Sequence, residues 1–236
     1  MSLLELRGVS KYQSRGSRRI EILREVSLEI DAGEFVAIWG LRRSGRSTLL
    51  AVAAGVDQPD DGVVLFDGKD LSARGTPGLG NGVGYCHQLT AAPRRRVIDN
   101  VRAGLLARGV PALASHSKAH RALERVGAER CAGLKLSDLD AAEAVRVAIA
   151  TALVLGPRLL VIDEPTKGVD LLDRDKLILL LRSLANDGVA VLVSDGDGSG
   201  LSDADRTLTL AEGELRGKTT PETGSITPLH GRSTAA

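Results

Sequence analysis

Residues 34–55, EFVAIWGLRRSGRSTLLAVAAG, restrict the possible folds of this chain more than any other stretch. Glu34 to Trp39 is a buried-strand pattern that stops at Gly40. A helix pattern starts around Ser47 and closes at Gly55. Between them lies Gly40-Leu41-Arg42-Arg43-Ser44-Gly45-Arg46-Ser47-Thr48, with the spacing G-x-x-x-x-G-K-[ST] and arginine in the lysine position. In the order strand, glycine loop, helix, such a loop turns backbone N–H groups and a positive helix end toward a phosphate. A following hydroxyl, here Ser47, can reach Mg²⁺.

The rest of the chain repeats that alternation. LLELRGV near the start and the alternating Val26 to Ile30 read as strands, and GVVLFDGKDL reads as a hairpin turning at Asp67-Gly68. After Gln88 the pattern becomes helical, over Arg96 to Arg108, Lys118 to Val126 and Asp140 to Leu155. An apolar strand at Leu159 to Ile162, a helix from Asp173 to Asn186 and a second apolar strand at Val189 to Val193 follow. Buried strands alternating with helices imply a parallel sheet carrying helices, an α/β fold. From Gly217 the chain has too little apolar content to pack, so 217–236 is expected to be a disordered tail.

The strand at Leu159 to Ile162 ends in Asp163 and Glu164, within RLLVIDEPTKGVD. Open α/β sheets place ligands at the C-terminal ends of their strands. Asp163 in that position suits Mg²⁺, and Glu164 suits the polarisation of an attacking water.

Composition excludes several alternatives. The 31 basic and 30 acidic residues nearly cancel, which removes a whole-chain electrostatic case for nucleic acid and leaves only a local basic patch open. With aromatic residues at 2% of the chain a base-stacking surface is hard to build, so no nucleic acid partner is expected. No run approaches the roughly 18 apolar residues of a membrane span, and the start lacks a targeting pattern, so a cytoplasmic protein is expected. Cys86 and Cys131 are too few for a disulfide framework and are expected to be reduced. His116 and His120 share a helix face, but their flanks offer no clear third metal ligand.

Over residues 1 to about 216 the sequence resembles the ATP-binding subunits of ABC transporters. VSKY with Tyr12 resembles the stretch whose aromatic ring stacks on adenine, set one residue early. Gln88 in GYCHQ matches the glutamine that senses Mg²⁺ and contacts the membrane partner. RVAIATALVLGPRLLVIDEP matches the end of the signature helix and the Mg²⁺ strand, and Gly168-Val169-Asp170 matches a loop that crosses the dimer interface. HQLTAAPRRRVIDNV and GLLARGVP resemble the macrolide-export, lipoprotein-release and cell-division branch. The resemblance implies a P-loop NTPase core of mostly parallel sheet, with an antiparallel β subdomain and an α-helical subdomain at about 89–156. It also implies ATP and Mg²⁺, an integral membrane permease, a second ATP-binding subunit in a homo- or heterodimer, and a peripheral place on the inner face of the cell membrane.

Three departures from the family pattern stand out. The signature LSGGQ falls on Leu139-Asp140-Ala141-Ala142-Glu143. Asp140 is a good N-cap and should preserve the helix, but it brings a negative charge toward a triphosphate held by the facing subunit. Ala141 and Ala142 favour the helix and add methyl groups where that phosphate would approach. Asp195 occupies the position of the switch histidine, where it can accept but not donate a hydrogen bond. Arg46 keeps the charge of the lysine in a larger, forked group. The expectation is retained nucleotide binding with slowed hydrolysis; the alternative is a nucleotide-binding or scaffolding subunit without useful hydrolysis.

Overall fold

The computed structural model describes residues 2–15, 18–71, 82–86, 95–196 and 203–217. Gln88, the proposed Mg²⁺-sensing glutamine, and the tail from residue 218 lie outside the described residues. Two sheets organise the chain. Strands β1 (Leu4–Arg15), β2 (Arg18–Ile30), β4 (Asp61–Phe66) and β5 (Lys69–Asp70) form an antiparallel sheet in the order β2-β1-β4-β5. The second sheet runs β10 (Glu214–Arg216), β9 (Arg206–Ala211), β3 (Phe35–Trp39), β8 (Ala190–Asp195), β7 (Leu159–Ile162), β6 (Val83–Cys86). It is parallel apart from its β10 edge.

The central strands are apolar but for Ser194 and Asp195 at the end of β8, because both of their faces are covered. In β3, Phe35 and Ala37 enter one core while Val36 and Ile38 enter the other. β7 divides the same way, Leu160 and Ile162 against Leu159 and Val161, and so does β8, Val191 and Val193 against Ala190 and Leu192. The first core receives α2 (Val97–Val101), α4 (Ala112–Arg125), α5 (Ala141–Leu153) and α6 (Leu171–Asn186). α1 (Arg46–Ala53) and the antiparallel sheet close the second. The sheet is thus clamped from both sides, and the loops at the C-terminal ends of β3, β7 and β8 are held at one rim.

The hairpin at Asp67-Gly68 forms as expected, with positive φ at both residues. The single helix expected over Arg96 to Arg108 is instead two short helices meeting at Arg102, α2 and α3 (Ala103–Ala107). Gly104 accounts for part of this: it is a weak helix former, and a Cβ there would stand 3.3 Å from Leu155, so its bareness permits close packing. α4 begins earlier than its pattern indicated, directly after Pro111, whose fixed φ suits a helix start. On it the rings of His116 and His120 meet edge to face with centroids 4.7 Å apart, as expected of one helix face. Both cysteines are free and buried. No described helix is long and apolar enough to cross a membrane.

Candidate nucleotide site

The loop after β3 folds as a compact turn around glycine. Ser44 N–H donates to the Leu41 carbonyl at 3.1 Å, and Arg43 and Gly45 take left-handed φ of 67° and 103°. A Cβ at Gly40 would fall 2.6 Å from both Ser44 Oγ and the Leu210 carbonyl, so only glycine lets the turn close. At Gly45 it would fall 2.8 Å from the Ile22 carbonyl, which brings the β1–β2 ribbon against the loop. α1 begins at Arg46, its first carbonyl partner being Gly45. Leu41, Arg42, Arg43 and Ser47 face solvent, and Thr48 is half-buried.

Arg46 does not face solvent. Its side chain is 7% exposed, and Nη2 donates to Glu164 Oε1 at 2.8 Å. The other Glu164 oxygen, Oε2, takes Lys167 Nζ at 2.6 Å. Glu164 itself sits at φ 49°, a conformation costly for a residue with a Cβ, and its N–H donates to Ser194 Oγ at 2.9 Å. The Ser194 hydroxyl in turn donates to Asp163 Oδ1 at 2.6 Å. One serine on β8 therefore ties the Glu164 backbone to the Asp163 carboxylate at the end of β7. Asp195, the last residue of β8, is buried and lies in register with Trp39. Burial, helped by the Asp163 charge, pushes the neighbouring Tyr85 hydroxyl up to about 12.

Among the described residues, two buried polar atoms in this region have no hydrogen-bond partner, Ser44 Oγ and Arg46 Nη1. Orphaned donors beside a glycine loop and a helix N-terminus fit an anionic phosphate. The acceptors nearby, the Ser47 hydroxyl and the Asp163 carboxylate, are the hard oxygen ligands that suit Mg²⁺.

The other expected residues divide. Tyr12 lies on β1 opposite Glu21 of β2, with the Arg19 guanidinium 3.8 Å from its ring centroid, so one face of the ring is already covered by a cation. Asp140 is the N-cap of α5 as expected: its carboxylate accepts the Glu143 N–H at 2.8 Å, and Glu143 returns a bond to the Asp140 N–H at 3.1 Å. Of the two alanines that open α5, exposure singles out Ala142. Its side chain is buried in its own chain with Val169 and Leu177, whereas Ala141 remains exposed. Asp170 caps α6, accepting the Asp173 N–H at 3.0 Å.

Sequence reasoning missed Ser194, Lys167 and Arg19. Ser194 carried a signal, a lone hydroxyl in the apolar run AVLVSD. Lys167 lies three residues after Glu164 and could have been read as its partner; nothing local pointed to Arg19.

Residues 23–167 match the family model described as ABC transporter. The chain is 31% identical over 219 residues to the uncharacterized ABC transporter ATP-binding protein YvrO of Bacillus subtilis, covering 90% of this chain and 95% of that one. It is 34% identical over 220 residues to the lipoprotein-releasing system ATP-binding protein LolD of Shewanella sp. MR-4, covering 91% and 95%. It spans about a third of the length of the pyoverdine export ATP-binding/permease proteins PvdT of Pseudomonas, 33% to 35%. The dimeric post-hydrolysis state of the ATP-binding cassette MJ0796, bound to ADP and Pi, superposes with a TM-score of 0.83 at 28% identity, over 90% of this chain and 96% of that one. With a family match across the phosphate loop and the paired carboxylates, and a fold shared with solved cassettes, this chain belongs to the ABC transporter family as one of its ATP-binding cassettes.

Proposed function

We propose that this cassette is the ATP-binding subunit of a transporter complex, in which binding and slow hydrolysis of ATP move an integral membrane permease. Residues 1–216 form the cassette, with a helical subdomain at about 89–156, and the subunit sits peripherally on the inner face of the membrane, paired with a second ATP-binding subunit. The observation that carries the reading is the glycine loop with two orphaned buried donors, Ser44 Oγ and Arg46 Nη1, set beside paired carboxylates at a strand end.

In this assignment residues 40–48 cradle the phosphates and Tyr12 offers its ring to the adenine. Glu164 takes the proton of the attacking water as the new bond to the γ-phosphorus forms and the bond to the ADP oxygen breaks. Ser47, Asp163 and Gln88 would hold Mg²⁺, which when bound neutralises phosphate charge. Ser194 orients the Asp163 carboxylate and holds the Glu164 backbone beside it. Asp140 and Asp195 add negative charge near the γ-phosphate and slow the reaction.

Titration of the full chain with a fluorescent ATP analogue and Mg²⁺ tests the reading. Saturable binding below millimolar concentration is expected, and its absence would overturn the assignment of residues 40–48.

A further inference from the structure

We propose that Arg46 and Glu164 form an internal latch, so that nucleotide enters the phosphate loop in exchange for their ion pair and does not meet a waiting cation. The inference rests on residues 40–48 being the nucleotide site, and it adds a competitor that the chain itself supplies.

Both oxygens of Glu164 are taken by cations, Oε1 by Arg46 at 2.8 Å and Oε2 by Lys167 at 2.6 Å. The two cations differ in kind: Lys167 is 64% exposed, so its contact is screened, whereas Arg46 is 7% exposed and held at the first position of α1. Gly196 closes the pair from above. A Cβ there would lie 3.1 and 3.2 Å from the two guanidinium nitrogens and 3.2 Å from Glu164 Oε1, so the backbone rests on the pair and leaves little space between them.

One guanidinium thus faces two claimants. Among the described residues Nη1 has no partner, but it is buried, so a second anion reaches it only as the pair opens, and a phosphate there stands close to the carboxylate on Nη2, where like charges repel. A longer, forked side chain is what makes the contact to Glu164 possible while one nitrogen stays aimed elsewhere. The latch also engages the carboxylate: while Arg46 holds Oε1, one lone pair of that oxygen is closed to water.

The test is binding of Mg·ADP to the full chain by calorimetry, a measurement in which no hydrolysis occurs. Glu164→Gln keeps the shape and removes the competing charge, so ADP affinity is expected to rise about tenfold, the worth of one charge-assisted hydrogen bond. Lys167→Met leaves the latch in place and should change affinity by no more than about threefold. Glu164→Gln should also lower the melting temperature of the nucleotide-free chain, with the gap narrowing at saturating ADP. Should that variant fold poorly, Glu164→Asp, whose carboxylate is withdrawn by one methylene, is expected to give an intermediate tightening. Saturable binding to the unaltered chain with equal or weaker binding to both Glu164 variants would overturn the latch and leave the nucleotide site standing. No saturable ADP binding by any of these chains would overturn the site and the latch with it.

Discussion

Glu164→Ala and Arg46→Met break the same contact from opposite ends, and their costs should be unequal. After Glu164→Ala the Arg46 guanidinium, 7% exposed and with one nitrogen unpartnered among the described residues, loses its counter-ion Glu164. An uncompensated buried charge of this kind costs about 3 kcal/mol. After Arg46→Met the carboxylate keeps Lys167, is 23% exposed and can draw on water, so the loss is about 1 kcal/mol. The backbone does not confuse the comparison, because alanine has the same Cβ as glutamate at the φ of 49°. Urea unfolding of the nucleotide-free chain measures both. For a chain of this size the two changes correspond to melting shifts of roughly 6–12 °C and 2–4 °C. The double variant should cost less than the sum by about 1 kcal/mol or more. Equal costs, or a larger cost for Arg46→Met, would refute the claim that the buried arginine is the dependent partner.

The remaining expectations concern the signature helix, the thiols and the reaction rate. Asp140→Ala removes one half of a reciprocal cap and should destabilise the chain by about 1 kcal/mol, while Asp140→Ser, which also caps, should cost only a few tenths; urea midpoints separate them. Burial pushes the Cys86 thiol up to about 12 from 9.0, so the folded chain holds its proton where the unfolded chain loses it. That contribution is complete below about pH 9 and is lost as pH rises toward 12, and Cys86→Ala should flatten the fall in unfolding free energy over that interval. Isolated chain should turn over ATP far more slowly than the roughly 10 per second of a median enzyme. Arg46→Lys alone should recover only part of the deficit, whereas its combination with Asp195→His, Asp140→Ser, Ala141→Gly and Ala142→Gly should gain more than the product of the single changes, read as steady-state ATPase rates.

Strand-loop-helix order was legible because each piece has a local cause: a run of apolar residues, a glycine spacing, a period of 3.6. β7 and most of β8 are legible for the same reason, since burial on both faces keeps Leu159 to Ile162 and Ala190 to Val193 apolar, and only Ser194 and Asp195 at the end of β8 interrupt the run. β6, β9 and β10 were not found. VGYC is short and interrupted by glycine, and β9 and β10 lie toward an edge where half-exposed positions dilute the pattern. Within the site, the carboxylates and the loop could be read from motif spacing, but the Arg46–Glu164 contact joins residues far apart in the chain. No periodicity encodes a pair of that kind. Whether an arginine points to a ligand or to its own chain depends on what the fold brings beside it.

The departures from the family pattern therefore carry a second meaning beside the one their chemistry suggests in sequence. Read singly in the sequence, Arg46, Asp140 and Ala142 are expected to alter contacts to nucleotide. In the folded chain each has an internal partner: Arg46 holds Glu164, Asp140 exchanges bonds with Glu143, and Ala142 packs on Val169 and Leu177. Val169 follows Glu164 by five residues on the same loop, so the signature helix and the carboxylate loop are tied within one subunit as well as facing outward. Replacing Ala142 by glycine removes a buried methyl and loosens the helix start, together about 1–2 kcal/mol, before any benefit to a facing phosphate appears. If these positions serve the chain's own stability, the latch proposed above predicts a site that opens only as nucleotide enters, and a rate that depends on contacts to be undone as well as on contacts to the nucleotide. Substitutions that release Glu164 and those that reopen the signature surface act on separate parts of that constraint, which is the structural reason for expecting the combined variant to exceed the product of its parts.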